Sequence, residues 1–201
     1  MNAESAPAAA LDRRAAVAEL LADRGDLLLV TGLGSPTWDC TAVADHPLNF
    51  YLWGAMGSAV AVALGLALAQ ARRRVLCVTG DGEMLMGLGS LATVAVQRPA
   101  NLSIVVLDNE RYGETGMQTT HTAHGVDLCS MARGAGFPAV RLVRKAEEMA
   151  ALRPLVHDLP GPAFIQIKIA PAKLPMVLPP RDGAYLRQRF RSAVTGEGAP
   201  R

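Results

Sequence analysis

Aromatic residues are scarce, 4% of 201, and charged residues make up only 19% against 50% hydrophobic. That balance excludes a disordered chain and points to a core built from Ala, Val and Leu. Neither sign of charge dominates: 20 Lys and Arg face 18 Asp and Glu, a net charge of +2. The electrostatic footprint of a nucleic-acid or anionic-membrane binder is therefore missing. Cysteine is nearly absent as well. Cys40, Cys77 and Cys129 are odd in number and too widely spaced for a metal-ligand pattern, so buried, reduced thiols are expected rather than a disulfide framework. Long apolar runs are lacking too: the best, Ala55 to Ala69, has 15 residues of mainly small side chains, where a membrane helix needs roughly 20. Met1 to Ala10 has no basic start followed by a leucine-rich segment, so no secretory signal is read and a cytoplasmic protein is expected.

What the chain does have is an alternation of short apolar runs with helical patterns, at a length suited to one domain with terminal extensions. Leu11, Ala15, Ala18 and Leu21 recur at helical spacing, giving an N-terminal helical segment within residues 1–24 that Gly25 closes. Asp26–Thr31, Val75–Thr79 and Ser103–Leu107 are runs of the kind that form strands buried on both faces, and Ala139–Val143 and Ala163–Ile169 extend the series. Helices are predicted at Ala55–Ala69, at Glu83–Gln97 with Pro99 as terminator, at Asp127–Gly134 and at Lys145–Leu155. Without hairpin signals between the strands, this order predicts an α/β fold: a three-layer αβα sandwich around a mostly parallel, doubly wound sheet, spanning residues 25–170. Arg72 to Arg74 read as a solvated turn at the N-terminal end of a strand, and residues 171–201, rich in Pro, Arg and Gly, as a peripheral tail.

In such a sheet ligands gather beyond the carboxyl ends of the strands. Gly80-Asp81-Gly82 follows one strand and Asp108-Asn109 the next, with 26 residues between Gly82 and Asn109, enough for one crossover helix and a strand. The Asp81 carboxylate, the Asn109 amide oxygen and a backbone carbonyl just beyond are hard oxygen ligands of the kind Mg²⁺ or Ca²⁺ takes, with phosphate oxygens completing the shell. Glycines at 80 and 82 would let backbone approach a phosphate, beside the positive end of the helix starting at Glu83. Gly34, Ser35 and Thr37, after the first strand, are further candidate diphosphate donors. The plain alternatives are a tight turn at Gly-Asp-Gly, a loop feeding Pro36, and a Met56 that merely fills core.

The combination of Gly80-Asp81-Gly82, the 26-residue gap, Asn109 and then Tyr112-Gly113 resembles the diphosphate-binding motif of thiamine-diphosphate enzymes. The segment Gly80 to Gln118 is most similar to the beta subunits of sulfopyruvate decarboxylase and to the phosphonopyruvate decarboxylases, and the likeness runs over roughly residues 25–170. That resemblance implies the thiamine-diphosphate-binding fold. It further implies a divalent metal held by Asp81, Asn109 and the carbonyl of Arg111, with diphosphate on the Gly82 and Glu83 amides. It places Met56 under the cofactor ring and the Gly54 carbonyl on the aminopyrimidine. The family uses a second domain that supplies an activating glutamate, and one domain of this length would have to find it on an alpha subunit, in a hetero-oligomer of at least two alpha and two beta chains. The activity implied is a carboxy-lyase acting on a small anionic 2-oxo acid, giving an aldehyde and CO₂. Sulfopyruvate is favoured over phosphonopyruvate because the chain is short. Arg111, His121 and His124 are candidate substrate contacts; the histidines alternatively face solvent, and two of them make a weak metal site. Competing readings are a carboligase or oxidoreductase subunit with the same cofactor, and a phosphate- or nucleotide-binding module that is no enzyme.

Overall fold

The computed structural model describes residues 11–196; the Ala-rich start and residues 197–201 of the tail lie outside them. The strands are β1 (Leu28–Thr31), β2 (Asn49–Tyr51), β3 (Val75–Gly80), β4 (Leu102–Asp108), β5 (Arg111–Tyr112), β6 (Gln118–Thr119), β7 (Ala139–Val143) and β8 (Ala163–Lys168). Six of them form one sheet, every pair parallel, in the order β2-β1-β3-β4-β8-β7; β5 and β6 form a small antiparallel ribbon. The main strands are apolar at nearly every position because both faces are covered. Leu29, Leu76, Val78, Val105 and Ile165 enter one core, with α1 (Arg13–Leu21) and the helical turns that end in α7 (Arg153–His157). Leu28, Val30, Cys77, Ile104 and Phe164 enter the other, with α3 (Ala59–Ala69), α5 (Ser90–Gln97) and α6 (Leu128–Ala135). Among the described residues no helix is long and apolar enough to cross a membrane.

The connections place the site. From β1 the chain runs through α2 (Ser35–Ala44) out to β2, whereas from β3 it runs through α4 (Asp81–Met86) and α5 in the opposite direction to β4. The crevice between the carboxyl ends of β1 and β3 is thus the switch point where backbone donors of two outgoing loops diverge and leave room for a ligand.

Several elements differ from the sequence expectation. The helix expected over 83–97 is two, α4 and α5, broken at Gly87-Leu88-Gly89 and beginning at Asp81. A Cβ at Gly87 would lie 2.0 Å from the carbonyl oxygen of Gly57, so only glycine lets this break pack against the loop that carries Met56. Neither α2 nor β2 was expected: α2 starts on Gly34 with Pro36 in its first turn, and β2 is a three-residue edge strand too short for a periodic signal.

Within the expected tail of residues 171–201, the described part is not simply peripheral. Asp182 accepts from the amides of Ala184 and Tyr185 and so caps α8 (Gly183–Thr195). This helix buries Leu186, sets Phe190 against Phe50 with ring centroids 5.3 Å apart, and pairs Arg189 with Asp45 at 2.8 Å. Its arginines, interleaved with the packing residues, hid the amphipathic pattern. Nor do Arg73 and Arg74 form a merely solvated turn: Arg73 donates to the Asp26 carbonyl, and Arg74 to the carbonyls of Ala100, Leu155, Val156 and Leu159.

A candidate cofactor and metal site

A cavity of about 330 Å³ occupies the β1/β3 crevice. The end of β1 contributes Leu33, Ser35 and Pro36; the end of β3, Gly80 to Glu83; and the end of β4, Asn109 and Arg111 to Gly113, with Met56 and Met86 closing one side. Gly80 pairs with Leu107 across the β3/β4 ladder, so Asp81 and Asn109 leave neighbouring strand ends and reach the same cavity.

Asp81 is 2% exposed and Asp108 0%. Two buried carboxylates this close need donors. Both hydroxyls that reach Asp81 lie on Oδ2: Thr120 donates to it, and Thr122, 3.0 Å away, shares its one proton between Asp81 and Asp108; no side chain among the described residues donates to Oδ1. Burial, and secondarily the charge of Asp108, push the Asp81 carboxyl up to about 6 against the opposing pull of the threonine hydroxyls. Asp108 is better provided: it takes Thr122 at 2.8 Å and the Glu110 amide at 3.1 Å on Oδ1, and Gln166 at 2.6 Å and Lys168 at 2.7 Å on Oδ2. The Asn109 amide oxygen accepts the Arg111 N–H at 2.9 Å, which turns the chain sharply after β4.

Donors for an anion sit beside these acceptors. Gly80 precedes α4 and Gly34 precedes α2, and neither N-cap residue offers a side-chain oxygen to the first-turn amides. A Cβ at Gly82 would lie 2.3 Å from Cε1 of Tyr112; the bare backbone is what lets the tyrosine ring from β5 close over the start of α4. Met56, 41% exposed, is carried on a turn in which Ala55 (φ 56°) and Gly57 (φ 92°) are both left-handed. For alanine that conformation costs about 1–3 kcal/mol, a strain that collects where a side chain must be presented.

Other expected residues fall elsewhere. Thr37 is buried and commits its hydroxyl to the Gly32 carbonyl at 2.7 Å and to Thr31 at 2.6 Å, which ties α2 to β1 and leaves nothing for a ligand. Gly34 and Gly54 do not line the cavity, nor do His121 and His124, which lie on the 3-10 turn beyond β6; His124 is 3.1 Å from the Thr119 hydroxyl. Arg111 does line it, with its guanidinium on the Glu110 carbonyl at 2.9 Å.

Sequence reasoning missed Thr120, Thr122, Asp108, Gln166 and Lys168, and it assigned Glu83 only a backbone role. The Glu83 carboxyl is buried and accepts from Thr79 at 2.8 Å; burial raises its pKa against that hydroxyl and the Gly57 and Leu33 amides. Thr120 and Thr122 sit in a polar loop whose composition reads as solvated, so no local pattern marked them; Asp108, polar at the end of an apolar run, was the one visible signal.

The family described as "Thiamine pyrophosphate enzyme, C-terminal TPP binding domain" matches residues 34–167, well over half the chain. The chain belongs to this thiamine pyrophosphate enzyme family. Among its curated relatives, the sulfopyruvate decarboxylase subunit beta of Methanothermobacter thermautotrophicus is 37% identical over 92% of this chain and 97% of its own length. The phosphonopyruvate decarboxylase of Streptomyces viridochromogenes is also 37% identical, over 91% of this chain but 46% of that longer protein. Among solved structures, one described as "a putative thiamin diphosphate-dependent enzyme isolated from Mycobacterium smegmatis" superposes with a TM-score of 0.69 at 25% identity, covering 82% of this chain and 32% of that one.

The cavity suits the family's cofactor at its diphosphate end: two uncapped helix starts supply donors, and a buried carboxylate keeps one oxygen without a side-chain donor. Among the described residues no three His, Cys, Asp or Glu cluster to hold a metal by themselves. A cation here would rest on Asp81, Asn109 and a carbonyl, and would take its remaining ligands from outside the protein, which is how Mg²⁺ sits on phosphate.

Proposed function

We propose that this chain is the diphosphate-binding beta subunit of a thiamine-diphosphate-dependent decarboxylase acting on a small anionic 2-oxo acid of the sulfopyruvate type, releasing an aldehyde and CO₂. The observation that carries the reading is Asp81, a buried carboxylate with side-chain donors on one oxygen only, at the mouth of an uncapped helix. In this reading the Asp81 and Asn109 side chains and the Arg111 carbonyl hold Mg²⁺ or Ca²⁺. The Gly82 and Glu83 amides and the Ser35 hydroxyl hold the diphosphate, with Tyr112 and Gly113 closing over it. Met56, in the cavity wall, supports the ring system, and the Gly54 carbonyl, outside that wall, accepts from the part of the aminopyrimidine that extends beyond it. Bound there, thiamine diphosphate would supply the electron sink for loss of CO₂. Arg111 supplies the positive charge that attracts a substrate anion; His121 and His124, outside the cavity, could reach substrate only across an interface.

The match over 97% of a relative named as a beta subunit supports a partner chain. In this reading that alpha chain carries the pyrimidine-binding domain and the activating glutamate, in an assembly of at least two of each. Three free, buried cysteines fit a reducing, cytoplasmic setting. The test is to purify the chain with the product of the neighbouring gene and to titrate thiamine diphosphate with and without Mg²⁺ by calorimetry. CO₂ release from sulfopyruvate, phosphonopyruvate and pyruvate is then assayed without an added acceptor. Metal-dependent uptake and acceptor-free CO₂ release from sulfopyruvate are expected. Release from phosphonopyruvate alone would move the substrate, turnover only with an acceptor would favour a carboligase or oxidoreductase, and tight ATP binding instead would reveal a nucleotide-binding module.

A further inference from the structure

We propose that Thr122, seconded by Thr120, is a positioning residue for the cation, locking the two metal-bearing loops to each other. The proposal rests on the cofactor reading above. Thr122 is 6% exposed, and its hydroxyl lies 3.0 Å from Asp81 Oδ2, 2.8 Å from Asp108 Oδ1 and 3.0 Å from the Thr120 hydroxyl. It therefore spans the start of α4 and the end of β4, the two segments that supply Asp81 and Asn109. Thr120 also donates to Asp81 Oδ2, and its amide donates to the Glu110 carbonyl at 3.0 Å, fastening the same turn to the loop after β4. On its far side Asp108 is held by Gln166 and by Lys168, which also reaches Glu110 at 2.6 Å.

The donor arithmetic gives this arrangement its function. A hydroxyl has one proton, so the two threonines supply two donors to contacts with two carboxylates and with each other. Both hydroxyls that reach Asp81 fall on Oδ2, with Thr122 sharing its proton with Asp108, so Oδ1 is the oxygen free of side-chain donors that a cation would use, and the carboxylate is kept from rotating by a bridge anchored in β8. Partners behind a metal ligand commonly set affinity by fixing its orientation.

The experiment uses the assembled complex, saturated with thiamine diphosphate and titrated with Mg²⁺ by calorimetry, for the unaltered protein, Thr122→Val and Thr122→Ser. Valine keeps the volume and loses the hydroxyl; serine keeps the hydroxyl. The valine variant should need about tenfold more Mg²⁺ for half-maximal uptake while binding the same amount of cofactor at saturating metal. Serine should restore the midpoint to within about twofold. Equal midpoints for valine and the unaltered protein would overturn the proposal, as would equal losses for valine and serine, since that is what a packing role predicts. Should the valine variant not fold, Thr120→Ala against Thr120→Ser makes the same comparison, and the same pattern of midpoints supports or overturns the proposal. If the unaltered complex takes up no thiamine diphosphate with Mg²⁺, the cofactor reading itself fails, a result distinct from an unchanged midpoint.

Discussion

The two ends of the sheet treat their polar groups in opposite ways. At the amino ends of β3 and β4, Arg74 donates to four carbonyls and to the Ser103 hydroxyl, and Asn101 donates to the carbonyls of Ala67, Gln70 and Arg73. The chain satisfies itself there, and charge is absorbed into structure. At the carboxyl ends, α2 and α4 begin without side-chain caps, Asp81 has side-chain donors on one oxygen only, and Ala55 holds a left-handed turn under Met56. Both ends are polar; what differs is whether partners are present. Unmet donors and acceptors collected around one cavity mark where the fold expects a ligand, and the same residue types fully paired mark where it does not.

Substitutions at the two ends should therefore fail in different ways. Asp81→Ala is expected to lower Mg²⁺-dependent cofactor uptake by ~100-fold or more, because it deletes a charged ligand rather than a partner behind one. Stability in urea should be unchanged or slightly higher, since a buried carboxylate beside Asp108 is lost with it. Arg74→Met should do the reverse: about 2–4 kcal/mol less stable in urea, as several carbonyls lose a charged donor, with cofactor affinity of the folded protein unaltered. A D81A variant that unfolds, or an R74M variant that folds normally and loses cofactor, would break the contrast.

How legible this was from the sequence follows the same division. Runs such as Asp26–Thr31 and Ser103–Leu107 announced a parallel sheet because burial on both faces leaves little room for polar side chains in the strands they became, Leu28–Thr31 and Leu102–Asp108. Gly80-Asp81-Gly82 and Asn109 were legible as the lining of one cavity because they follow neighbouring strands directly. Thr120 and Thr122 were not: they meet Asp81 from 39 and 41 residues away, and nothing in Thr-His-Thr distinguishes a buried pair from a solvated turn. Nor was Thr37 placeable, since a hydroxyl in the first turn of a helix serves a ligand or its own backbone equally well. The α8 helix was hidden because Arg189 acts against Tyr51 of β2 and Asp45, a tertiary arrangement that composition cannot express.

Gly82 tests the point where the cavity wall becomes structure. Gly82→Ala must displace the Tyr112 ring, 2.3 Å from the new methyl, at a cost of roughly 1–3 kcal/mol. Because Tyr112 belongs to the β5–β6 ribbon that also carries Arg111, cofactor affinity should fall by about tenfold along with stability, a joint loss that neither D81A nor R74M shows. Pairing it with Tyr112→Ala, which makes room for the methyl, should recover part of the stability; if the two losses simply add, the contact is not the cause.

The smallest effect lies at the sheet edge, where α8 meets the loop before β2. Burial alone would raise the Asp45 carboxyl, but hydrogen bonds from Arg189 and Tyr51 and the Arg189 charge outweigh it, and its pKa lies below the usual carboxylate range. A depressed folded value means that the pair stabilises the protein above the unfolded carboxylate pKa of about 3.9 and that this contribution is lost as the pH falls through the lower folded value. The Asp45 side chain is 38% exposed, so solvent and salt keep the contribution under about 1 kcal/mol. Urea unfolding of the unaltered chain and of Asp45→Asn should differ by that amount at pH 6, and the gap should narrow as the pH falls toward 3. A gap of the same size at both pH values would trace to the shape of the side chain and not to its charge. No gap at pH 6 would mean that α8 is held by Phe50, Phe190 and Leu186 alone, and that at this edge of the sheet apolar packing, rather than paired charge, completes the fold.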